Sequence, residues 1–584
     1  VSPQHQKCNG YVFQVIIPLP ASDKAIESVD STIMASFLSH QAEIIGMRLA
    51  QPTDNSLRSA LESRQQKSIL EERLHGTAMQ NAFSRLTGAL LTNPKSQFTH
   101  YQNDLEQLSQ QFDTQFEQRF LSSSSSSLDD EKREFAIQTF SNAMGSIGYF
   151  SGRPTYWWKG QIWMDMSRKL FTAVPSRPFF PRGFLWDEGF HQLLISQFDK
   201  ELSMQMLTSW FNTMWDNGWI SREQILGQEA VDKVPEAFRI GFVTVANPPT
   251  LLLALDKIRQ LTFSSSEVIV ADHEALESTE TIMTSTLVDD DDDDPGLSEQ
   301  EYAIEVQKDF LRAMLPRVDR WIQWIIETQK GNLDHSMRWR GRSADHTFGS
   351  GLDDYPRAPQ PTDDELHLDL HCWVTMATRV VADLASDLDE RALASKYTAL
   401  ADAYQSKLHT YFWSDHAKAY ADVVGQSPTG RLQHAQHIGY VNLFPLFFGL
   451  IDPSSEQLGH TLQHLESANE LWSDKAGIRS MSKSSKFFQT GENYWRGGVW
   501  ININYLVLRG LRKHYYDSPG PYQQKVQQIY HALRDNIIQN MYEQYKQSGF
   551  IWEQYHPLSG EGQRSRPFTG WSALVVLIIS EHYD

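Results

Sequence analysis

The sequence predicts a mainly helical chain in which paired helices close into a ring and a site forms from the loops at one end. Three observations lead to this fold class. Apolar residues recur at helical spacing in stretch after stretch between residues 133 and 584. Strand signals are few over the same region. The segments between the helices carry Gly, Pro and aromatic residues, which end helices and can wall a cleft. At 584 residues the chain exceeds what one core usually holds, a length that serial helix pairs accommodate as one unit.

Taken in order, residues 8–20 read as a strand, with Tyr11, Val12, Phe13, Val15, Ile16 and Ile17 ahead of Pro18 and Pro20. One strand cannot make a domain, so residues 1–40 read as the tail of a β domain whose remainder precedes Val1. Residues 41–132 form a polar helical and linker region. There Phe112, Phe116 and Phe120 recur every four residues, and Ser122 to Ser127 mark a flexible joint. The main domain, 133–584, holds helix candidates at 201–215, 247–261, 300–329, 366–386, 389–411, 455–470, 500–514, 521–543 and 570–582. Its insertion at about 263–299, with a serine run and Asp289 to Asp294, reads as disordered because it could bury too little to offset its ordering entropy.

Composition narrows the partners. The formal charge of -20 argues against nucleic acid, which needs a basic surface. No apolar run reaches membrane-spanning length; the longest, Tyr440 to Ile451, is interrupted by Pro445. The chain starts at Val1 and runs early into the apolar stretch Tyr11 to Leu19, so upstream sequence, with any signal or anchor, is expected. Cys8 and Cys372 allow at most one bridge. Seventeen tryptophans are more than packing usually needs and suit a cleft that stacks flat apolar faces such as those of sugars.

Five stretches carry the candidate chemistry. In Phe348 to Arg357, glycines flank Ser350 and Pro356 stops a helix, so Asp353 and Asp354 sit on a fixed loop able to present a carboxyl group; a capping turn paired with Arg357 is the plain alternative. The loop-like stretch 178–191 sets Arg182, Asp187 and Glu188 among Phe184, Trp186 and Phe190, offering rings for stacking and acceptors for hydroxyls; a structural Arg–carboxylate pair in a helix start is the plain alternative. In 365–373, Glu365, His367, Asp369 and His371 suit hydroxyl recognition or a buried network, and His367 and His371 also admit a metal reading, although no further ligand cluster accompanies them. The stretch 491–504 interleaves Glu492, Trp495 and Arg496. Glu553 stands between Trp552 and Tyr555 ahead of a Gly- and Ser-rich loop. Two carboxyl groups in an aromatic cleft, with no phosphate loop or serine triad, fit glycoside hydrolysis, in which one group protonates the leaving oxygen and the other activates water or attacks carbon. A carbohydrate-binding protein without catalysis stays open on the same residues.

These motifs resemble glycoside hydrolase family 63, the family of the processing α-glucosidases. The matching pieces are Ser141 to Gly152, Phe180 to His191, Trp339 to Arg342, Ser350 to Arg357, Glu365 to Trp373, Glu492 to Tyr505 and Trp552 to Tyr555. The Asp353 loop also resembles that of trehalases, which cleave a free disaccharide. The resemblance implies an (α/α)6 toroid preceded by a β-sandwich, and an inverting enzyme needing no cofactor or metal. It implies removal of the terminal α-1,2-linked glucose from the triglucosylated N-glycan precursor, in the endoplasmic reticulum lumen, with the whole protein a single-pass membrane protein anchored upstream. By position, Asp353 would be the general acid and Glu553 the general base, with a carboxyl separation of about 6.5–9.5 Å. Arg182, Phe184, Trp186, Asp187, Glu188, Asp354, Glu365, His367, Asp369, Glu492, Trp495 and Arg496 would bind substrate. Asp353 should stay protonated near neutral pH through burial or a neighbouring negative charge from Asp354, Asp187 or Glu188.

Overall fold

The computed structural model describes residues 94–121, 128–264 and 298–583. The chain divides into two units, Val1–Thr114 and Gln115–Asp584. What is described of the first is most of helix α1, Pro94–Phe116, which begins with proline at a position where its missing N–H costs no hydrogen bond. The strand expected at 8–20, the β-domain tail at 1–40, Ser122 to Ser127, Cys8 and the greater part of the insertion lie outside the described residues.

The second unit is mainly helical, and its helices are of two kinds that alternate along the chain. The first kind is buried almost all round. It comprises α3 (Leu185–Phe198), the first two turns of α5 (251–264), α7 (Leu368–Asp387), the short α9 (Phe444–Phe447), α11 (Ile501–Gly510) and α13 (Val575–Ser580). Their sequences are apolar on every side or carry polar groups that find internal partners, as a helix inside a large core must be. The second kind buries one stripe only: α4 (Lys200–Phe211), α6 (Glu299–Thr328), α8 (Arg391–Phe412), α10 (Glu456–Glu466) and α12 (Gln523–Ser548). In α8 the buried residues are Tyr397, Ala401, Tyr404, Leu408 and Phe412, and in α12 they include Val526, Ile529, Tyr530, Leu533 and Ile537. Both sets follow the 3.6-residue period. Each buried Val, Leu, Ile or Phe side chain among them contributes about 1.5–3 kcal/mol relative to exposure.

Successive helices pack as α3 with α4, α6 with α7, α7 with α8 and α11 with α12. Buried helices also touch one another, α7 with α9, α9 with α11 and α11 with α13. Helix α2 (Asp130–Met144), capped by the Asp129 side chain on the Lys132 N–H, packs on α13. Phe116 and Phe120 of the four-residue repeat are buried, both against Phe140 of α2.

The helix candidates from 201 to 582 each overlap an observed helix, with ends that differ by a few residues. Two features differ from the expectation. Residues 178–191 are not one loop: α3 begins at Leu185, and because it is buried on all sides its sequence lacks the amphipathic period that betrays a helix. Between α2 and α3 stand strands β1 (Gly148–Gly152), β2 (Thr155–Trp158), β3 (Gln161–Met164) and β4 (Arg168–Thr172). Strand β1 pairs antiparallel with β4, while β2 lies between antiparallel β3 and parallel β7 (Ile240–Phe242). Gly189 of α3 allows a close crossing, since a Cβ there would lie 2.3 Å from Thr250, whose hydroxyl donates to the Trp186 carbonyl at 2.8 Å.

Candidate active site

The segments that run into the buried helices meet around a cavity of about 190 Å³. Arg182, Phe184, Trp186 and Asp187 come from the start of α3, and Asn247 from the approach to α5. Gly351 and Asp353 precede α7, Tyr494 and Trp495 precede α11, and Glu553, Phe568 and Trp571 precede α13. The site therefore gathers residues hundreds of positions apart at the entrances to buried helices.

Several contacts fix the Asp353 loop. Asn247 accepts from the Trp186 N–H through Oδ1 at 3.0 Å and donates through Nδ2 to the Gly349 carbonyl at 3.1 Å, joining the loop to α3. Gly351 has a φ of +77° and faces the Trp186 ring so closely that a Cβ would stand 3.0 Å from it, so a side chain there would meet both backbone strain and a clash. Asp354, buried, turns away from the cavity: its carboxylate accepts from the N–H groups of Tyr494 at 3.1 Å and Trp495 at 2.6 Å, and lies 3.5 Å from Arg496 Nε. The second carboxylate of the Asp-Asp pair thus anchors the Tyr494 loop, which leaves Asp353 to face the cavity.

The electrostatics separate the carboxyl groups. Burial pushes the Asp353 carboxyl up to about 7; Arg222 opposes this, and the negative charges of Glu223 and Asp354 assist it. Asp187 is raised well above the usual carboxylate range by burial and by the charge of Glu553. Glu553 has a donor on each oxygen, the Tyr494 hydroxyl on Oε1 and the Ser565 N–H on Oε2 at 3.0 Å. Arg222 is kept cationic against its burial by Glu223, Asp353 and Asp187. Two buried donors in the wall, Arg182 Nη1 and Trp495 Nε1, have no protein partner, and such groups suit a ligand rich in hydroxyl acceptors.

The remaining expected residues stand outside the cavity lining. Glu188, fully buried, accepts from Thr172 at 2.8 Å and Gln192 at 2.7 Å, tying α3 to β4. Glu365 pairs with Arg342 at 2.5 Å; burial would raise its carboxyl, but His367, 3.7 Å away, and Arg342 hold it at about 2. His367 Nδ1 accepts from the Trp339 N–H at 2.8 Å, and Asp369 takes Arg357 at 2.5 Å and the Trp339 indole at 3.0 Å. His371 bonds the Tyr404 carbonyl at 2.9 Å and is lowered to about 4 by burial. The stretch 365–373 is thus engaged with protein groups beside the Asp353 loop. Glu492 is exposed and pairs with His346 at 3.0 Å.

Sequence reasoning passed over Arg222, Glu223 and Asn247, and assigned no site role to Tyr494 and Trp571 although both stand in or beside candidate stretches; all five are in the cavity lining. Arg222 and Glu223 arrive because β6 (Glu223–Gln224) pairs with β5 (Gly183–Phe184), setting Glu223 opposite Phe184 and within 2.8 Å of Arg182 Nε. The sign available in the sequence was an adjacent opposite-charge pair close to the apolar Trp219 and Ile220 and followed by Ile225.

An aromatic cavity holding a carboxyl of raised pKa, a second carboxylate under two donors, and unpartnered wall donors is the layout of a glycoside hydrolase. Residues 96–581 match the glycosyl hydrolase family 63 C-terminal domain, and the chain belongs to that family. It is 40% identical over 474 residues to the "Probable mannosyl-oligosaccharide glucosidase" of Schizosaccharomyces pombe, covering 78% of this chain and 55% of that protein. It is 34% identical over 533 residues to a mannosyl-oligosaccharide glucosidase of Arabidopsis thaliana, covering 82% and 58%. The chain thus spans little more than half the length of these relatives. A family 63 mannosylglycerate hydrolase from Thermus thermophilus, solved with Tris and D-glycerate, shares the fold at a TM-score of 0.50 and 18% identity over 70% of this chain and 95% of its own.

Proposed function

We propose that this chain is the catalytic part of an inverting exo-α-glucosidase that removes the terminal α-1,2-linked glucose from the triglucosylated N-glycan precursor, the first trimming step of N-glycan processing. The observation that carries the reading is the pairing, in one cavity, of Asp353, raised to about 7, with Glu553 under two donors. The first is partly protonated at neutral pH and able to give a proton; the second is oriented to take one. The names of the relatives support the oligosaccharide substrate.

In this mechanism Asp353 gives its proton to the glycosidic oxygen as the bond from that oxygen to C1 breaks. Glu553 takes a proton from the water whose oxygen bonds C1 on the opposite face. One water is consumed, β-glucose and the shortened glycan leave, and proton exchange with solvent restores both groups. Arg182, Phe184, Trp186, Asp187 and Trp495 would hold the departing glucose, with Arg222, Glu223 and Tyr494 beside them. The alternation of buried and amphipathic helices supports an (α/α)6 toroid over residues 133–584. Action in the endoplasmic reticulum lumen, with an upstream membrane anchor in the whole protein, completes the reading.

Proton NMR of glucose first released from a Glc-α-1,2-Glc-terminated oligosaccharide tests it. Initial β-glucose supports inversion through water. Initial α-glucose would mean retention through a nucleophile and overturn the assigned roles, while release from trehalose alone would move the activity to free disaccharides.

A further inference from the structure

We propose that Tyr494 is a positioning residue that holds the Glu553 carboxylate in its water-activating orientation. The inference rests on Glu553 acting as the base. Tyr494 lines the cavity, and its hydroxyl donates to Glu553 Oε1 while the Ser565 N–H donates to Oε2 at 3.0 Å. With one donor on each oxygen, the carboxylate plane is set and each oxygen keeps acceptor capacity for water.

The phenol is itself immobilised. The Tyr494 backbone N–H donates to Asp354 at 3.1 Å, and the Tyr494 carbonyl accepts from the Trp500 indole at 3.2 Å. The ring stands edge-on to Trp500 with centroids 4.8 Å apart, and Arg564 lies 5.3 Å from its centroid. The loop that Asp354 anchors therefore delivers the hydroxyl to Glu553, which links the placement of the base to the residue beside the acid. Burial, then the charges of Glu553 and Asp353, raise the phenol well above its ordinary value, so it remains a donor across the working pH range. The other charged and titratable groups around it are Arg182, Asp187, Arg222, Glu223 and Asp353 in the cavity wall and Arg564 over the ring.

The test compares wild type, Tyr494→Phe and Glu553→Gln on a Glc-α-1,2-Glc-terminated oligosaccharide, reading kcat, KM and the melting temperature. Tyr494→Phe keeps the ring and its packing, so the melt should stay within a few degrees. The expected result is a kcat lower by about 10- to 100-fold with a KM within about threefold of wild type, because the carboxylate has lost the donor that orients it. An unchanged kcat overturns the inference, as does a rise in KM alone, which would make the phenol a substrate contact. If wild type is active and Glu553→Gln is silent, such a result removes the role of Tyr494 and leaves the proposed function standing. A wild type that releases no glucose, or a Glu553→Gln variant that still does, overturns the function and this inference together.

Discussion

Asp353 and Asp354 are neighbours of the same residue type with opposite assignments. Asp354 is taken up by two backbone N–H groups and Arg496, whereas Asp353 faces a cavity where burial raises it to about 7. On the proposed roles, Asp353→Asn and Glu553→Gln each lower kcat by at least about 10²- to 10⁴-fold with far-UV circular dichroism unchanged. Retained turnover in either folded variant removes that assignment. The pH dependence follows from the same group: the acid must be protonated, so kcat should fall as pH rises through about 7. Arg222 holds the Asp353 value down, and Arg222→Gln should move the basic limb of the profile to higher pH, whatever it does to the rate. A limb that stays in place would mean that Asp353 does not set it.

At the scale of elements, the site depends on buried polar contacts that join loops to helices. Arg342 and Glu365 connect the segment after α6 to the segment before α7, with both side chains almost wholly enclosed. Breaking such a pair by removing one charge leaves the other uncompensated. Glu365→Gln is accordingly expected to destabilise the protein by about 3–5 kcal/mol in denaturant titration; a change within about 0.5 kcal/mol would show that the Arg342 charge has other support. Because the Glu365 carboxyl is held at about 2 against an ordinary 4.5, its stabilisation is fully present above about pH 4.5 and is lost as pH falls towards 2. The motif Glu-Leu-His-Leu-Asp was legible in the sequence as a cluster of polar groups on a helix approach, but the sequence did not say whether substrate or protein would satisfy them. Arg342 engages Glu365, the Trp339 N–H engages His367 Nδ1 and Arg357 engages Asp369, partners that reach the motif only through the fold, while His367 Nε2 is left without a protein hydrogen-bond partner.

At the scale of the whole molecule, the cavity is walled by segments from Pro175 to Trp571, so a ligand that fills it ties together entrances to several buried helices. A glucose-shaped iminosugar at 100 times its Kd should stabilise the folded state by about 2.7 kcal/mol and raise the melting temperature. An unmoved melt at saturating probe would mean that the cavity does not take such a ring. The sequence by itself determined the helical class, since one-sided burial imprints a 3.6-residue period on α8 and α12, and it marked Asp353 and Glu553 through the residues around them. It left 178–191 open between a loop and a helix start, because α3, buried on every side, has no polar face to betray its period. Only the tertiary structure decided that Asp353 would face the cavity and Asp354 the Tyr494 loop, and that Arg222, Glu223, Asn247 and Tyr494 would join them. Those choices depend on pairings between segments far apart in the chain, such as β5 with β6 and Asn247 with Gly349, and local composition carries no record of them.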